Sequence, residues 1–457
     1  MSVQVITIIV LAAVFLVATV LPVHMGALAF VAAFMVGAFV LGEGKDDIVA
    51  GFPGDLFVIL VGVTYLFAMA KANGTVDWLV QAAVRLVRGK IALIPWMMFL
   101  VTALLTAVGA VVPAAVAIIA PVAMGFALRY RINPMLMGLL VINGASAGGF
   151  SPISIFGSIV NGVVTRNNLP GDPGMLFLSS FAFNLALSAV VFLLFGGRDL
   201  LRRNADPVTE NQPQDGTDGT GSTDGTGGSG GTGGTGGSGG TGGAGGTAVI
   251  APAATTVISL NKERLLTLTG LLVLAGGALF FGLDVGFTAI TVAVVLSLVS
   301  PKGAKDAIGQ IAWPTVLLIC GIVTYVSLME RVGTIDFLGG KVATIGIPLL
   351  AGLLICLIGA AVSAFASTTG ILGALIPLAV PFLLTGDIAA VALVIALSVS
   401  SSVVDSSPFS TSGALVVANS QETERDYVFR GLMRWGFSMI VIAPLLTWLI
   451  FLAPNWS

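Results

Sequence analysis

The sequence has few charged side chains. They make up 9% of its 457 residues, whereas 56% of the residues are hydrophobic. An average soluble domain has roughly 25% charged residues, so most of this chain is expected to face lipid. The net charge of -2 gives no reason to expect a nucleic-acid partner.

Cysteine and histidine are also rare. Cys320 and Cys356 both lie in apolar stretches without the spacing of metal ligands, which argues against a disulfide framework or a zinc site. The single histidine, His24, falls in a short turn between two apolar stretches, and we interpret it as an interfacial residue. The chain has no HExxH motif and no GxxxxGK[ST] phosphate loop, which argues against proteolysis and ATP-driven pumping. We therefore predict that the protein is not an enzyme.

Apolar stretches of a length that can cross a membrane recur along the chain, for example at residues 3–21, 25–41, 56–70 and 175–194. About 20 such residues span a hydrocarbon core as a helix. Helices satisfy their own backbone hydrogen bonds, which lipid cannot do. The sequence therefore predicts an all-α, polytopic membrane protein with the lipid bilayer as its surroundings.

One segment differs from this pattern. Residues 205–260 are rich in Gly, Thr and Ser, a composition that is typical of flexible linkers. It separates a first transmembrane repeat, residues 1–204, from a second one, residues 261–457.

The two halves resemble each other in their polar, glycine and proline residues. Residues 151–157 (SPISIFG) correspond to residues 407–413 (SPFSTSG), and residues 74–79 (GTVDWL) correspond to residues 333–338 (GTIDFL), with offsets of 256 and 259. Apolar helices that merely look alike would not share residues of this kind in the same order. We infer a duplication.

Each half contains an apolar pair of arms that is broken in the middle and then an interrupted helix. In the first half the arms run over residues 93–128 around Gly109 and Pro113, and they form either two crossings or one re-entrant hairpin. The tip has no polar side chain that would seek water, so we favour a hairpin buried in protein. Either alternative gives an odd number of crossings per half, which makes the second repeat inverted.

The basic residues provide an independent test of this topology. With five crossings per half, sixteen of the 20 basic residues fall on one side, and only Lys45, Arg166, Arg331 and Lys341 fall on the other. Cytoplasmic loops carry the excess of Lys and Arg. We therefore predict a bacterial inner membrane protein with both termini outside and the linker in the cytoplasm.

The interrupted helices are the predicted site. Residues 143–152 (NGASAGGFSP) and 400–408 (SSSVVDSSP) combine proline with Gly or Ser, which should unwind a helix. Freed carbonyls suit a hard cation, and the N-terminus of the resumed helix suits an anion. The candidate substrate ligands are Asn143, Ser151, Ser154, Thr369, Ser407, Ser410 and Thr411, and the candidate metal ligands are Ser146, Gly148, Gly149, Ser367, Thr368 and Asp405. Small residues of this kind also serve close helix packing, which is the alternative explanation.

Asp405 is a carboxylate within a predicted span, and such residues are functional by default. It could ligate a cation, carry a proton, or accept hydrogen bonds from serine hydroxyls. We expect no Lys or Arg to face the site. A dicarboxylate would then depend on helix ends and bound cations for its neutralisation, which favours symport.

Residues 143–162 (NGASAGGFSPISIFGSIVNG) resemble the signature stretch of malonate and C4-dicarboxylate carriers of the ion-transporter superfamily, relatives of the divalent anion/sodium symporters. The resemblance implies two hairpins, two interrupted helices, an elevator-type motion of this core, and a homodimer. Those symporters carry Ser-Asn-Thr at both hairpin tips. Here residues 367–369 (STT) match that motif in part, and residues 111–113 (VVP) have no side-chain ligand.

These features predict a secondary transporter that couples uptake of a small dicarboxylate, such as malonate, succinate or malate, to Na⁺ or H⁺. A cation/proton antiporter on a related scaffold is the main alternative. It would be expected to rely on several buried ionisable groups, whereas this chain offers mainly Asp405. A channel is disfavoured because two opposed hairpins imply alternating access.

Overall fold

The computed structural model describes residues 2–21, 23–86, 90–202, 261–334, 337, 348–364, 368, 372–376, 379 and 389–453. The predicted linker lies outside these ranges. All regular structure within them is helical. The helices of the first half are α1 (Val3–Val20), α2 (Met25–Met35, continued as a π-helix over Val36–Leu41), α3 (Lys45–Ala50), α4 (Gly54–Ala72), α5 (Thr75–Leu86), α6 (Leu93–Ala107), α7 (Val112–Arg129), α8 (Pro134–Gly148), α9 (Ile155–Arg166), α10 (Pro173–Leu194) and α11 (Gly197–Arg202).

The described helices of the second half follow the same order. Its described helices are α12 (Lys262–Phe280), α13 (Val285–Val299), α14 (Pro301–Gly309), α15 (Trp313–Arg331), α16 (Pro348–Ser363), α17 (Ala390–Val403, followed by a 3-10 turn over Val404–Ser406), α18 (Thr411–Ala418) and α19 (Glu422–Thr447, continued as a π-helix over Trp448–Leu452). Within the described ranges, six helices are long and apolar enough to cross a membrane. The chain is an all-α, polytopic membrane protein, as predicted.

Local sequence explains where several helices begin. Asn133 and Asp172 precede α8 and α10, and their side chains each accept a hydrogen bond from a backbone N–H two or three residues on, both at 2.9 Å. Pro134 and Pro173 follow at the first helical position, where proline loses no hydrogen bond. Short polar turns therefore fix the ends of the apolar helices.

The two halves have opposite orientations. Helices α4 and α15 occupy the same place in the repeat, and each has 19 residues. Gly51, just before α4, packs against Arg331 at the end of α15. Lys71, at the end of α4, lines the same cavity as Gln310, just before α15. Equivalent helices are thus antiparallel, which is the arrangement of inverted repeats.

Glycine pairs join the halves at two equivalent crossings, α2 against α15 and α13 against α4. A Cβ on Gly321 would lie 2.0 Å from the carbonyl oxygen of Gly26, and a Cβ on Gly62 would lie 2.6 Å from that of Gly286. Only glycine allows backbones to approach this closely. Helices α1–α4 and α12–α15 form one body, which we call the frame.

The hairpins and interrupted helices form a second body, the hairpin core, in which α6 and α7 pack on α8, α16 packs on α17, and α7 packs on α18. The tip of the first hairpin adopts a turn at Gly109, whose φ is 117°. A Cβ there would lie 2.4 Å from the side chain of Val63. Val63 is at the middle of the spanning helix α4, so the tip reaches only half the depth of the bundle. The arms form a re-entrant hairpin rather than two crossings.

Candidate functional site

Both interrupted helices break where the sequence predicts. Helix α8 ends at Gly148 and α9 begins at Ile155; the 3-10 turn after α17 ends at Ser406 and α18 begins at Thr411. The intervening residues are buried or nearly so, except Phe409, which is exposed. Pro152 and Pro408 lack an N–H, which disfavours closing either break into a continuous helix.

In the first break, Ser154 is the N-cap of α9. Its hydroxyl accepts from the N–H of Gly157 at 3.2 Å and donates to the carbonyl of Ser151 at 2.6 Å and to that of Gly149. A Cβ on Gly157 would lie 2.0 Å from the Ser151 carbonyl oxygen. The break is therefore a closed loop that satisfies its own polar groups. The carbonyl of Gly149, a predicted metal ligand, already accepts from two donors in this conformation.

The second break has the same construction. Ser410 is the N-cap of α18, and its hydroxyl accepts from the N–H of Gly413 at 3.1 Å and donates to the carbonyl of Ser407 at 2.7 Å and to that of Asp405. A Cβ on Gly413 would lie 2.0 Å from the Ser407 carbonyl oxygen. The duplication thus extends to individual hydrogen bonds, and Asp405 occupies the position that Gly149 has in the first break.

Asp405 is 5% exposed. Its carboxylate accepts a hydrogen bond from the hydroxyl of Ser412 at 3.0 Å. Ser412 belongs to the first turn of α18, so the carboxylate lies beside a helix N-terminus, where the unpaired N–H groups favour negative charge. Of the three roles open for Asp405, the structure provides partners for hydrogen bonding to serine, and the other two stay predictions.

Other predicted residues of the first break face different neighbours. The amide of Asn143 donates to the hydroxyl of Ser188 on α10 at 3.2 Å. The hydroxyl of Ser146 is buried and has no hydrogen-bond partner. Gly148 packs tightly on the first hairpin, since a Cβ there would lie 1.9 Å from the carbonyl oxygen of Ala103. Close packing explains Gly148, whereas Ser146 keeps a free ligand atom.

The second hairpin brings polar groups to the second interrupted helix. The hydroxyl of Ser363 donates to the carbonyl of Ser401 at 2.7 Å and shares a hydrogen bond with that of Thr368 at 2.8 Å. The hydroxyl of Ser401 is buried and has no partner. Thr368 was predicted as a metal ligand; Ser367 and Thr369 lie outside the described residues. Buried polar groups are normally paired, so an unpaired serine beside two further hydroxyls is a candidate ligand position.

The two interrupted helices are in contact, because α8 packs against both the 404–406 turn and α18. Gly138 is one contact point, where a Cβ would lie 2.5 Å from the side chain of Val416. The two interrupted helices therefore pack on each other, although the described candidate residues do not line one common cavity.

A cavity of about 490 Å³ lies between the frame and the hairpin core, and we call it the Lys71 cavity. It has the size of a small-molecule site. The tip of the first hairpin forms one wall. Polar groups come from both bodies: His24, Thr64, Lys71, Gln310, Thr315 and Thr411. Among the described candidate ligands only Thr411, at the N-terminus of α18, lines this cavity.

A second cavity, of about 280 Å³, lies at the opposite end of the bundle, and we call it the Glu330 cavity. Its α15 wall repeats the α4 wall of the Lys71 cavity: Val323, Val326, Ser327 and Glu330 are the equivalents of Thr64, Phe67, Ala68 and Lys71 at the offset of 259 residues. The remaining wall differs, because it contains the end of α9, with Arg166 ion-paired to Asp55 of α4.

Sequence reasoning did not place a basic side chain at this cavity. We expected no Lys or Arg to face the site, whereas Lys71 lines the cavity that reaches Thr411, and His24, which we interpret as interfacial, lines it too. The repeat alignment places Lys71 opposite Glu330, and that charge reversal was the available signal. Among the residues that the structure covers, there is no cluster of three or more His, Cys, Asp or Glu that could hold a metal ion.

Comparison with known proteins gives the class. Residues 1–149 match the family described as "Dicarboxylate carrier protein MatC N-terminus", and residues 271–456 match the family described as "Citrate transporter". Both are transporter families and not enzymes. The protein is a secondary transporter, and its predicted resemblance to dicarboxylate carriers is confirmed.

The fold has a counterpart among solved structures. The YdaH transporter of Alcanivorax borkumensis, described as having an unusual topology, superimposes with a TM-score of 0.56 over 88% of this chain and 86% of that one. Sequence identity is 13%, so the likeness concerns the fold alone. No curated protein sequence matches the chain.

Proposed function

We propose that this protein couples the uptake of a small dicarboxylate, such as malonate, succinate or malate, to a Na⁺ or H⁺ gradient across a bacterial inner membrane. The observation that carries the proposal is the position of Thr411. It stands in the first turn of α18 and lines a cavity of about 490 Å³. A helix N-terminus beside an open cavity is a ready site for a carboxylate. The dicarboxylate-carrier match over residues 1–149 supports the choice of anion.

The coupling cation has its best support at the second hairpin. The Ser401 hydroxyl is buried and unpaired, the Ser363 hydroxyl donates to the Ser401 carbonyl, and the Thr368 hydroxyl is bonded to that of Ser363. Hydroxyl and carbonyl oxygens are ligands for hard cations. At the first hairpin the tip is apolar, and the Thr106 hydroxyl that faces Gly148 donates to carbonyls of its own helix. We therefore assign the cation to the second hairpin and keep Asp405 as a contributor of negative charge.

An elevator-type motion of the hairpin core is supported by the two cavities. Equivalent frame residues on α4 and α15 face different parts of the hairpin core. Those on α4 meet the first hairpin tip and Thr411, at the middle of the core, whereas those on α15 meet Arg166 and Asn167, at its end. This difference fits a core displaced along the bundle toward the Lys71 end. With that end in the cytoplasm, as the basic residues predict, the conformation faces inward and both termini lie outside. We also propose a homodimer, as the resemblance implies.

Uptake of radiolabelled malonate and succinate into proteoliposomes tests this function. We expect uptake to require an inward gradient of Na⁺ or H⁺ and to fall at least about tenfold in Thr411→Val, which keeps the shape but removes the hydroxyl. Thr102→Val is the matched control, since the Thr102 hydroxyl bonds only the Met98 carbonyl of its own helix. Gradient-independent uptake, or equal activity of both variants, would reject the proposal. Competition with citrate and replacement of sodium by choline would then define the anion and the ion.

A further inference from the structure

The Lys71 cavity contains a lysine and a histidine that have no role so far. Lys71 closes helix α4, is exposed, and forms no ion pair with any residue that the structure describes. His24 precedes α2, and its Nδ1 atom is buried without a hydrogen-bond partner. Both side chains line the same cavity as Thr411. The cavity therefore offers positive charge and unused hydrogen-bonding capacity between its opening and the α18 N-terminus.

Acidic residues stand at the equivalent positions of the second half. Glu330 replaces Lys71, and Asp284 replaces His24 as the residue before the helix. The two cavities share the same helix wall, but the Glu330 cavity is also lined by Arg166, which is ion-paired to Asp55. At the shared helix wall the side chain therefore changes from basic to acidic.

From this charge reversal we infer that Lys71 and His24 form a second anion-binding position, which holds a carboxylate of the substrate after it leaves the α18 N-terminus and before it leaves the cavity. The inference rests on the proposed function and adds a residue pair that acts at one membrane face only. An ammonium group supplies three donors and a point charge for a carboxylate. In the Glu330 cavity the corresponding helix wall carries a carboxylate, and the Arg166 guanidinium there is already ion-paired to Asp55.

Membrane topology offers a competing reason for a lysine at this place, because cytoplasmic ends of spans are enriched in basic residues. The two explanations predict different effects when Lys71 is replaced. A lysine that only directs insertion alters the amount of protein in the membrane, whereas a binding lysine alters the substrate concentration at which transport from its own side is half-maximal.

The test compares transport from each side of the membrane. Initial rates of labelled malonate and succinate uptake are measured in right-side-out and inside-out vesicles, for the wild type and for Lys71→Gln, Lys71→Arg and Glu330→Gln. We expect Lys71→Gln to raise KM by about 3- to 10-fold in inside-out vesicles only, the effect of one partly exposed charge contact. Lys71→Arg should restore most of the affinity, and Glu330→Gln should leave KM from the Lys71 side unchanged.

Salt provides a second measurement on the same vesicles. Screening weakens interactions between exposed charges, so the difference between wild type and Lys71→Gln should shrink as potassium chloride rises from about 0.05 to 0.5 M. A Lys71→Gln variant whose KM is unchanged, or is raised equally from both sides, would overturn this inference while leaving the proposed function intact. A wild-type protein that transports no dicarboxylate from either side would overturn both.

Discussion

The two serine N-caps permit a comparison within one chain. Ser154 and Ser410 make the same three hydrogen bonds in the two breaks, and both are almost completely buried. Replacing either one by alanine removes a cap. The N–H of Gly157 keeps the Gly149 carbonyl as a second acceptor at 3.2 Å, whereas the Ser410 hydroxyl is the acceptor that the structure gives for the N–H of Gly413. Loss of an N-cap costs about 1 kcal/mol, and an unsatisfied buried group raises this to about 1–2 kcal/mol. We therefore expect destabilisations that lie within about 1 kcal/mol of each other, with Ser410→Ala the larger.

The two variants should differ in dicarboxylate uptake more than they differ in thermal stability. Ser410 is followed by Thr411 at the wall of the Lys71 cavity, whereas none of the residues 149–154 lines that cavity. Ser410→Ala should therefore reduce dicarboxylate uptake sharply, and Ser154→Ala should reduce it less. The assay pairs proteoliposome uptake with thermal unfolding of the purified protein in detergent. An energy of 1–2 kcal/mol should lower the apparent Tm by about 1–4 °C in a chain of this length.

Ser402→Ala is the control for both measurements. Ser402 is also fully buried, but its hydroxyl bonds only the Val399 carbonyl of its own helix at 3.0 Å, so its loss should leave Tm and uptake nearly unchanged. The Tm difference between Ser154→Ala and Ser410→Ala should be smaller than the difference between either of them and Ser402→Ala. If it is larger, the two breaks do not contribute comparably to stability. That result would refute the reasoning.

Three further substitutions test other parts of the structure. Asp405→Asn keeps an acceptor for Ser412 and removes a buried charge, so Tm should not fall, whereas gradient-driven uptake should fall about tenfold or more; unchanged uptake would remove Asp405 from the mechanism. Gly321→Val should abolish monodisperse protein on size-exclusion chromatography, because a Cβ would lie 2.0 Å from the carbonyl oxygen opposite, while Gly276→Val, with nothing within 4 Å, should be tolerated. Arg166→Gln breaks the ion pair with Asp55. The Arg166 and Asp55 side chains are 31% and 51% exposed, so Tm should change by less than about 1 °C. A larger fall would mean that this pair stabilises the interface between the hairpin core and the frame.

The repeat could be predicted from the sequence because the residues that the two halves share act on the backbone next to them. Pro152 and Pro408, each next to Gly or Ser residues that weaken a helix, favour a break, and Ser154 and Ser410 cap the next helix. These helix-break and capping patterns depend on a few adjacent residues in the sequence and not on how the surrounding helices pack. For the same reason the breaks, the first hairpin and the inversion of the second repeat could be deduced.

The lining of the site could not be deduced in this way. Whether Lys71 faces lipid, water or a cavity depends on how α4 is rotated against the first hairpin, and a helix as uniformly apolar as Gly54–Ala72 gives no periodic signal for that rotation. The sequence also could not tell that the Gly149 carbonyl is occupied by the Ser154 hydroxyl, since unwinding alone suggested a free ligand. Long-range packing decides both cases.

The crossings of α2 with α15 and of α4 with α13 mean that the copies are separate in sequence but interleaved in space. Each copy presents bare glycine surfaces that only the other can cover, so neither is expected to be a folding unit by itself. A chain cut between Arg202 and Lys262, with both pieces synthesised in the same cell, should still assemble, and either piece alone should be degraded. The two repeats can diverge in sequence at side chains such as Lys71 and Glu330, but not at the glycines where the two backbones are in contact.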